Sequence, residues 1–594
     1  MYVSVGAGFK PPLQIYTNGR IMSAAKSETI EAVPAGINFK RWDPSLTVWI
    51  GASVILILLM ILPLSAILAT SLKDQAGLTF AKYAEVFSNP AFLTAIWNTL
   101  VISSWVGLGA VVIGGSLAWL VTRTDLPWKK SIRALVMASF VTPPFLGAFA
   151  WTLLAGPNAG ALNKLYRALT GSDDALFNIF SMTGLIFVMA LYSFPFVFSM
   201  IANVCELISS DLEDAAVILG ADKWTTARTI TLPLALPALV GGFIVAFLHS
   251  LSLFGAPAIL GLPAGLHTIT TQIWTLFQYP PRLDLAAAFS VPLLLATMLL
   301  IGLQKKILGR RGFSTVGGKG AQKRLVKLGW GRIPIFLFVL GILSCSVFLP
   351  YWVLLKAAFS KAWAMPFDWD NFTLQNFSYT LLQYSDTQQA IINTFKLGIL
   401  TATAGTLLAT LIAYVSNRQV LRGARFLAFF ALAPLVIPGI VLAVGLFIVY
   451  TQPPFVLYGT VWILFVAFLT KEMPIGYSQA ESTFKSIHPE LEDAGRILGA
   501  NRLTSLQHIT APLARSGLIA AWCFIFIGVI RELSAAILLF APTSKVISVV
   551  IFDLKEEGQV GAISVLGILL LVVSFLIILL VQRFLGRDLV SGRE

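Results

Sequence analysis

The sequence predicts an all-α, polytopic membrane protein made of two similar six-helix halves, and three observations carry that reading. Apolar runs long enough to cross a bilayer, about 20 residues each, recur along the whole chain. Charge is scarce: 12% of the 594 residues are Asp, Glu, Lys or Arg and 57% are hydrophobic, whereas an average soluble domain is about 25% charged. Finally, one passage occurs twice, 279 residues apart: LEDAAVILGADKWTTARTITLPL from Leu212 to Leu234, and LEDAGRILGANRLTSLQHITAPL from Leu491 to Leu513. An outer-membrane barrel would show short alternating segments instead.

Residues 1–47 are polar, with no apolar core near the start, and read as a cytoplasmic tail rather than a cleaved signal. About twelve spans follow, by windows of about 19 residues. A first domain, 48–306, holds spans near 48–70, 96–121, 132–155, 179–203, 234–256 and 285–305. A basic linker, 307–333, leads to a second domain, 334–583, with spans near 334–357, 391–416, 424–450, 456–480, 514–541 and 561–583, and then a tail, 584–594. The halves match outside the repeated passage too. Asn98-Thr99 falls on Asn393-Thr394 and Arg123 on Arg418, while Pro195 falls on Pro474 and Pro263 on Pro542. An even number of spans per half predicts a parallel repeat about an axis along the membrane normal.

The formal charge of +14 does not indicate nucleic acid, because the basic residues cluster beside apolar runs, as the positive-inside rule requires. From Lys305 to Arg332 the linker carries Lys and Arg and no acid. Both termini, the linker and both repeated passages are therefore expected in the cytoplasm; binding of acidic lipid is a second reading of the linker. Three scattered cysteines, Cys205, Cys345 and Cys523, give no disulfide framework or zinc spacing.

Each repeated passage reads as a helix, a glycine turn and a second helix. Ser210 and Glu213 have capping-box spacing, and Pro489 suits a first helical position. Asp211, Glu213 and Asp214, or Glu490, Glu492 and Asp493, then favour the positive end of the helix dipole. Ala215-Ala216 and Ala494-Gly495 permit close approach of another surface. Gly220 and Gly499 can take positive φ and turn the chain. A second short helix is expected to run to Ile230 or Ile509, with Pro233 or Pro512 marking entry into the next span. A bare connector would not be expected to keep acid, Ala, Gly, Ile and Pro in register in both halves, so the passages read as two docking points for a two-fold partner.

The pattern E-A-A, three residues, Gly, nine residues, Ile, one residue, Leu-Pro resembles the signature loop of permease subunits of bacterial ABC importers. Asp214 and Asp493 stand at the glutamate position, Gly495 replaces the second alanine, and Ala511 replaces the leucine before Pro512. The resemblance covers essentially the whole chain and implies two fused type I permease domains. It implies that loops 204–233 and 483–512 carry coupling helices docked on two copies of a cytoplasmic ABC ATPase, with a periplasmic solute-binding protein delivering cargo. It places the protein in the bacterial inner membrane. Fused permeases of this size are most similar to ferric-iron importers; thiamine, 2-aminoethylphosphonate and polyamine importers are the alternatives. No phosphate loop is present, since Gly317-Gly318-Lys319-Gly320 lacks the spacing. The chain is thus not expected to be an enzyme or to bind a cofactor; ATP and Mg belong to the partner. A secondary transporter would share the six-plus-six repeat but leave the doubled loop unexplained.

Charged residues within spans are costly and are functional candidates. Arg531-Glu532 is expected inside the eleventh span, opposite Ser252-Leu253 of the fifth, and Lys471-Glu472 in the tenth, opposite Tyr192-Ser193. Two readings fit them: ion pairs that fix packing, or groups that line or gate the translocation path, with Arg531, Glu532, Ser252 and Glu472 as the pathway candidates. His249 reads as a packing residue, and no Tyr, His or carboxylate cluster has metal-ligand spacing. Pro143-Pro144, Pro438-Gly439, Pro195 and Pro474 are expected to kink spans.

Overall fold

The computed structural model describes residues 45–74, 77–208, 215–309, 325–421 and 423–585. The expected capping box of Ser210 and Glu213 lies outside them, as do Asp211, Asp214, both tails and the middle of the linker.

The first half comprises α1 (Ser45–Leu72), α2 (Pro90–Arg123), α3 (Lys129–Val141), α4 (Pro144–Ala155), α5 (Met182–Leu207), α6 (Trp224–Ser252) and α7 (Leu283–Gly309). The second comprises α8 (Gly329–Ala358), α9 (Ser385–Asn417), α10 (Phe426–Leu435), α11 (Gly439–Tyr450), α12 (Val461–Lys485), α13 (Glu490–Ile497), α14 (Arg502–Ile530) and α15 (Val560–Leu585). Helices dominate because backbone groups in lipid must satisfy one another within the segment. Among the described residues nine helices are long and apolar enough to cross a membrane, or eleven if each of two bent pairs is one span. α12 is also long enough at 25 residues, but Lys471 and Glu472 interrupt its apolar run.

Two spans expected to be continuous are sharply broken. Residues 132–155 divide into α3 and α4 at 99°, and 424–450 into α10 and α11 at 107°. Pro143-Pro144 and Pro438 sit at the breaks. Proline supplies no N–H and excludes its predecessor from helical torsions, and Thr142 and Pro143, each followed by proline, accordingly take ψ of 124° and 128°; Pro438, followed by Gly439, is extended too, with ψ of 138°. Pro195 and Pro474 instead remain inside α5 and α12.

The halves share one packing plan. In the first, α2, α5 and α6 pack against one another; in the second, α9, α12 and α14 do the same. The matched Asn-Thr pairs pin equivalent loops. Asn98 Nδ2 donates to the His267 carbonyl at 3.0 Å, and Asn393 Nδ2 to the Lys545 carbonyl at 3.0 Å. Thr99 Oγ1 accepts from the Ile269 amide at 2.8 Å, and Thr394 Oγ1 from the Ile547 amide at 2.9 Å. The first helix of each half lies on the broken span of the other: α1 packs on α11, and α8 on α4. At Gly445 of α11 an added Cβ would stand 2.5 Å from the Pro63 carbonyl oxygen of α1, so the backbones touch. At its far end the linker is stitched to the first half, where Val326 donates to the Arg123 carbonyl at 2.8 Å and Leu328 to Asp125 Oδ1 at 2.9 Å.

Candidate functional site

Both repeated passages lie at the same end of the bundle, following α5 and α12. Residues 215–218 and α13 are the first helices; Pro489 caps α13 rather than opening it, one residue earlier than expected. Each helix ends at its glycine, Gly220 with φ +88° and Gly499 with φ +93°. Positive φ costs any residue with a Cβ about 1–2 kcal/mol. The carbonyls left over are closed as in a Schellman turn: the Ala221 amide donates to the Ala216 carbonyl at 2.9 Å and the Ala500 amide to the Gly495 carbonyl at 3.1 Å. A side-chain cap then restarts the chain. Thr225 donates its amide to Asp222 Oδ1 at 2.9 Å, and Thr504 to Asn501 Oδ1 at 2.8 Å. Those bonds hold the Asp222 carboxyl below the usual carboxylate range, with the Thr225 side chain and then its backbone as the largest causes.

The second short helix is not separate from the span that follows. A π-turn, Ala227–Thr231 or Leu506–Thr510, carries it straight into α6 or α14. Proline explains the widening: Pro233 and Pro512 have no N–H, and their rings would crowd the carbonyl four residues back. The bond is instead made one residue earlier to a carbonyl five residues back, Leu232 to Ala227 and Ala511 to Leu506.

Within the second passage Gly495 and Ile509 meet: a Cβ on Gly495 would stand 2.6 Å from Ile509 Cδ1, so the glycine admits the isoleucine and ties the two helices. Asp493 and Ala494 are exposed, as is Ala215, and Asp493 pairs with Arg496 at 3.4 Å. Glu492, by contrast, is buried. Its Oε1 accepts from Arg418 Nε at 3.0 Å and Thr510 Oγ1 at 2.7 Å, and its Oε2 from Tyr414 OH at 3.0 Å. Removing one partner of such a buried pair costs about 3–5 kcal/mol. Arg418 also donates to the Ile487 carbonyl at 3.2 Å, and Arg123 to the Ile208 carbonyl at 2.8 Å, so the matched arginines fasten the matched positions. In the sequence these arginines mark the repeat and the orientation, not a contact. Their match between the halves is the signal the sequence offers; their carbonyl and carboxylate partners lie too far along the chain for spacing to reveal.

The outer surface of each passage is apolar. Ile218 and Leu219 are 85% and 87% exposed, and Ile497 and Leu498 are 86% and 89% exposed. Each passage thus presents a bare Ile-Leu pair beside its glycine turn.

The pathway candidates gather elsewhere, where the halves meet. Arg531-Glu532 does not lie inside a span: α14 ends at Ile530, and the chain leaves helical form there. Arg531 Nη1 donates to the Phe140 carbonyl of the first half at 2.8 Å, with its guanidinium 5.5 Å from the Phe140 ring centroid. Lys471 Nζ donates to the Ile437 carbonyl at 3.3 Å, just before the other break. Glu532 Oε1 accepts from the Ala535 amide at 3.0 Å. Glu472 is buried, and its Oε2 has no hydrogen-bond partner. Ser252 ends α6 and donates to the His249 carbonyl at 3.1 Å, while the His249 ring lies 3.1 Å from the Ser193 hydroxyl. Among the described residues no group of three His, Cys, Asp or Glu side chains is arranged to hold a metal.

Comparison with known proteins agrees with the doubled architecture. The family of binding-protein-dependent transport system inner membrane components matches twice, at residues 110–311 and 403–590. The chain is 26% identical over 547 residues to the ferric transport system permease protein FbpB of Actinobacillus pleuropneumoniae, covering 90% of this chain and 78% of the relative. It is 22% identical to the Fe(3+)-transport system permease protein FbpB 2 of Haemophilus influenzae, over 90% and 98% of the two chains. The sulfate transport system permease protein CysT of Escherichia coli is 29% identical, with 99% of its length matching 47% of this chain. The chain therefore belongs to the binding-protein-dependent transport system inner membrane components, a multi-pass permease that carries the family's domain twice.

Proposed function

We propose that this chain is the fused permease of an ATP-driven ferric-iron importer and that its two repeated passages are docking points for two copies of a cytoplasmic ABC ATPase. The pair of equally exposed Ile-Leu knobs, on glycine turns in register between the halves, is the observation that carries the docking assignment. The ferric relatives match across both halves, which supports the cargo. The passages, the linker and both termini face the cytoplasm on this reading, and a periplasmic binding protein meets the opposite face. ATP and Mg are held by the ATPase, whose closure draws the two knobs together. Residues Glu213, Asp214, Ala215, Ala216, Gly220, Ile230 and Pro233, with Glu492, Asp493, Ala494, Gly495, Gly499, Ile509 and Pro512, make up the coupling elements. Each arrangement of the halves is a state whose population binding shifts.

ATPase activity in proteoliposomes tests the reading. The chain and its ATPase are supplied with the cognate binding protein, either empty or loaded with ferric iron, thiamine, 2-aminoethylphosphonate or a polyamine. Stimulation by the ferric form alone is expected. Stimulation by another loaded form would replace the cargo, and failure of the ATPase to associate would remove the docking assignment.

A further inference from the structure

Where α3 stops, the Phe140 carbonyl has lost its helical partner, because the residue four positions on is Pro144. Such a carbonyl at a helix C-terminus attracts a cation. The cation it receives is Arg531, which comes from the other half of the chain and also covers the Phe140 ring. The contact therefore ties the first half's broken span to the end of the second half's α14.

Close by, Glu472 has the opposite problem. Its carboxyl group is buried, with Arg531, Lys471 and Glu532 as its charged neighbours, and its Oε2 makes no hydrogen bond. An unmet buried acceptor is costly, more so when charged. The carboxylate lies against α14 at Gly528, where an added Cβ would collide with it, less than one turn before Arg531. Residues 531–534 lie outside regular helix, so backbone torsions there can re-aim the guanidinium without bending a span. The first-half counterparts, Ser252-Leu253 and Tyr192-Ser193, carry no charge.

We propose that Arg531 is the positioning residue that fastens the two halves in this arrangement, and that it exchanges the Phe140 carbonyl for the Glu472 carboxylate when the halves part. This rests on the reading of the chain as a transporter with two arrangements. On the face opposite the docking knobs, the outer loops are also joined across the halves, Lys164 donating to the Ala364 carbonyl. A distance across those loops therefore reports parting.

The test uses electron paramagnetic resonance distances between labels at Leu169→Cys and Met365→Cys, both exposed outer positions, in the full chain in lipid nanodiscs. For the chain alone, Arg531→Ala is expected to lengthen the distance and Glu472→Gln to leave it as in the parent. With the ATPase and ATP, Glu472→Gln is expected to lower the parted fraction about ten-fold, the order of one hydrogen bond to a charged group. The double variant should match Arg531→Ala, because the two residues then have nothing left to exchange. Arg531→Lys, which keeps the charge, should fall between and serves if the alanine variant does not insert. An unchanged distance in Arg531→Ala overturns the fastener. An equal Glu472→Gln effect with and without Arg531 overturns the exchange. Lower cargo uptake in Glu472→Gln with unchanged populations also overturns it and assigns Glu472 to the cargo. If the ATPase fails to bind the parent chain, the transporter reading fails, and the chain-alone distances still decide whether Arg531 fastens the halves.

Discussion

The face that carries the repeated passages and the middle of the bundle treat the duplication in opposite ways. At the proposed docking face the described residues of the two halves correspond: glycine turns with φ of +88° and +93°, matched Asp222 and Asn501 caps, matched π-turns before Pro233 and Pro512, and knobs of equal exposure. In the middle they diverge, and all four charges of the central group come from the second half. On the proposed reading, a surface read by two identical subunits has reason to stay two-fold, and a passage crossed by a single cargo does not.

Four experiments sharpen or break that contrast. The largest effect is expected at Glu492, where alanine leaves Arg418, Tyr414 and Thr510 without their shared acceptor. Loss of about 3–5 kcal/mol should melt the loop, read as rapid proteolysis between α12 and α14 and loss of ATPase co-purification. Retained co-purification would show that the anchor is dispensable. Next, Gly220→Pro and Gly499→Pro fix φ near −65° where positive φ is required. Each should leave insertion intact and weaken ATPase binding by about ten-fold or more; unchanged co-purification with both variants would remove the turns from docking.

Leu219→Asp and Leu498→Asp place a charge on each knob, and about ten-fold weaker binding is expected, the order of a lost interface hot spot. The measurement that matters is equality: a large difference between the two variants would break the two-fold picture of this face. The smallest effect separates the caps. The Asp222 carboxyl is held below its usual range, so its cap is complete at neutral pH and is lost as pH falls through that lowered value, whereas the Asn501 cap does not titrate. Hydrogen exchange at Thr225 should therefore quicken in acid relative to Thr504, after correction for intrinsic rates, and Asp222→Asn should abolish the difference.

Much of this was legible in the sequence for a physical reason: lipid demands long apolar helices, and a repeat in register reveals what both copies need. The glycine turns and the Asn98-Thr99 and Asn393-Thr394 matches came from that comparison. Prolines marked where spans would deviate, but sequence does not distinguish a kink at Pro195 from a near right-angle break at Pro143-Pro144, since neighbouring packing decides which survives. Arg531 read as intramembrane because the apolar run continues past it; only the end of α14 at Ile530 shows that it sits in a break. The Glu492 anchor joins residues 74 positions apart, beyond the reach of helical periodicity.

The reciprocal seating of α1 on α11 and α8 on α4 bears on why such chains exist as one polypeptide. Each half splints the bent helix of its neighbour, so recognition between the halves is built into the bundle itself. A chain severed within the linker, with its halves made from separate messages, is therefore expected to reassemble, as co-purification of the two halves would show.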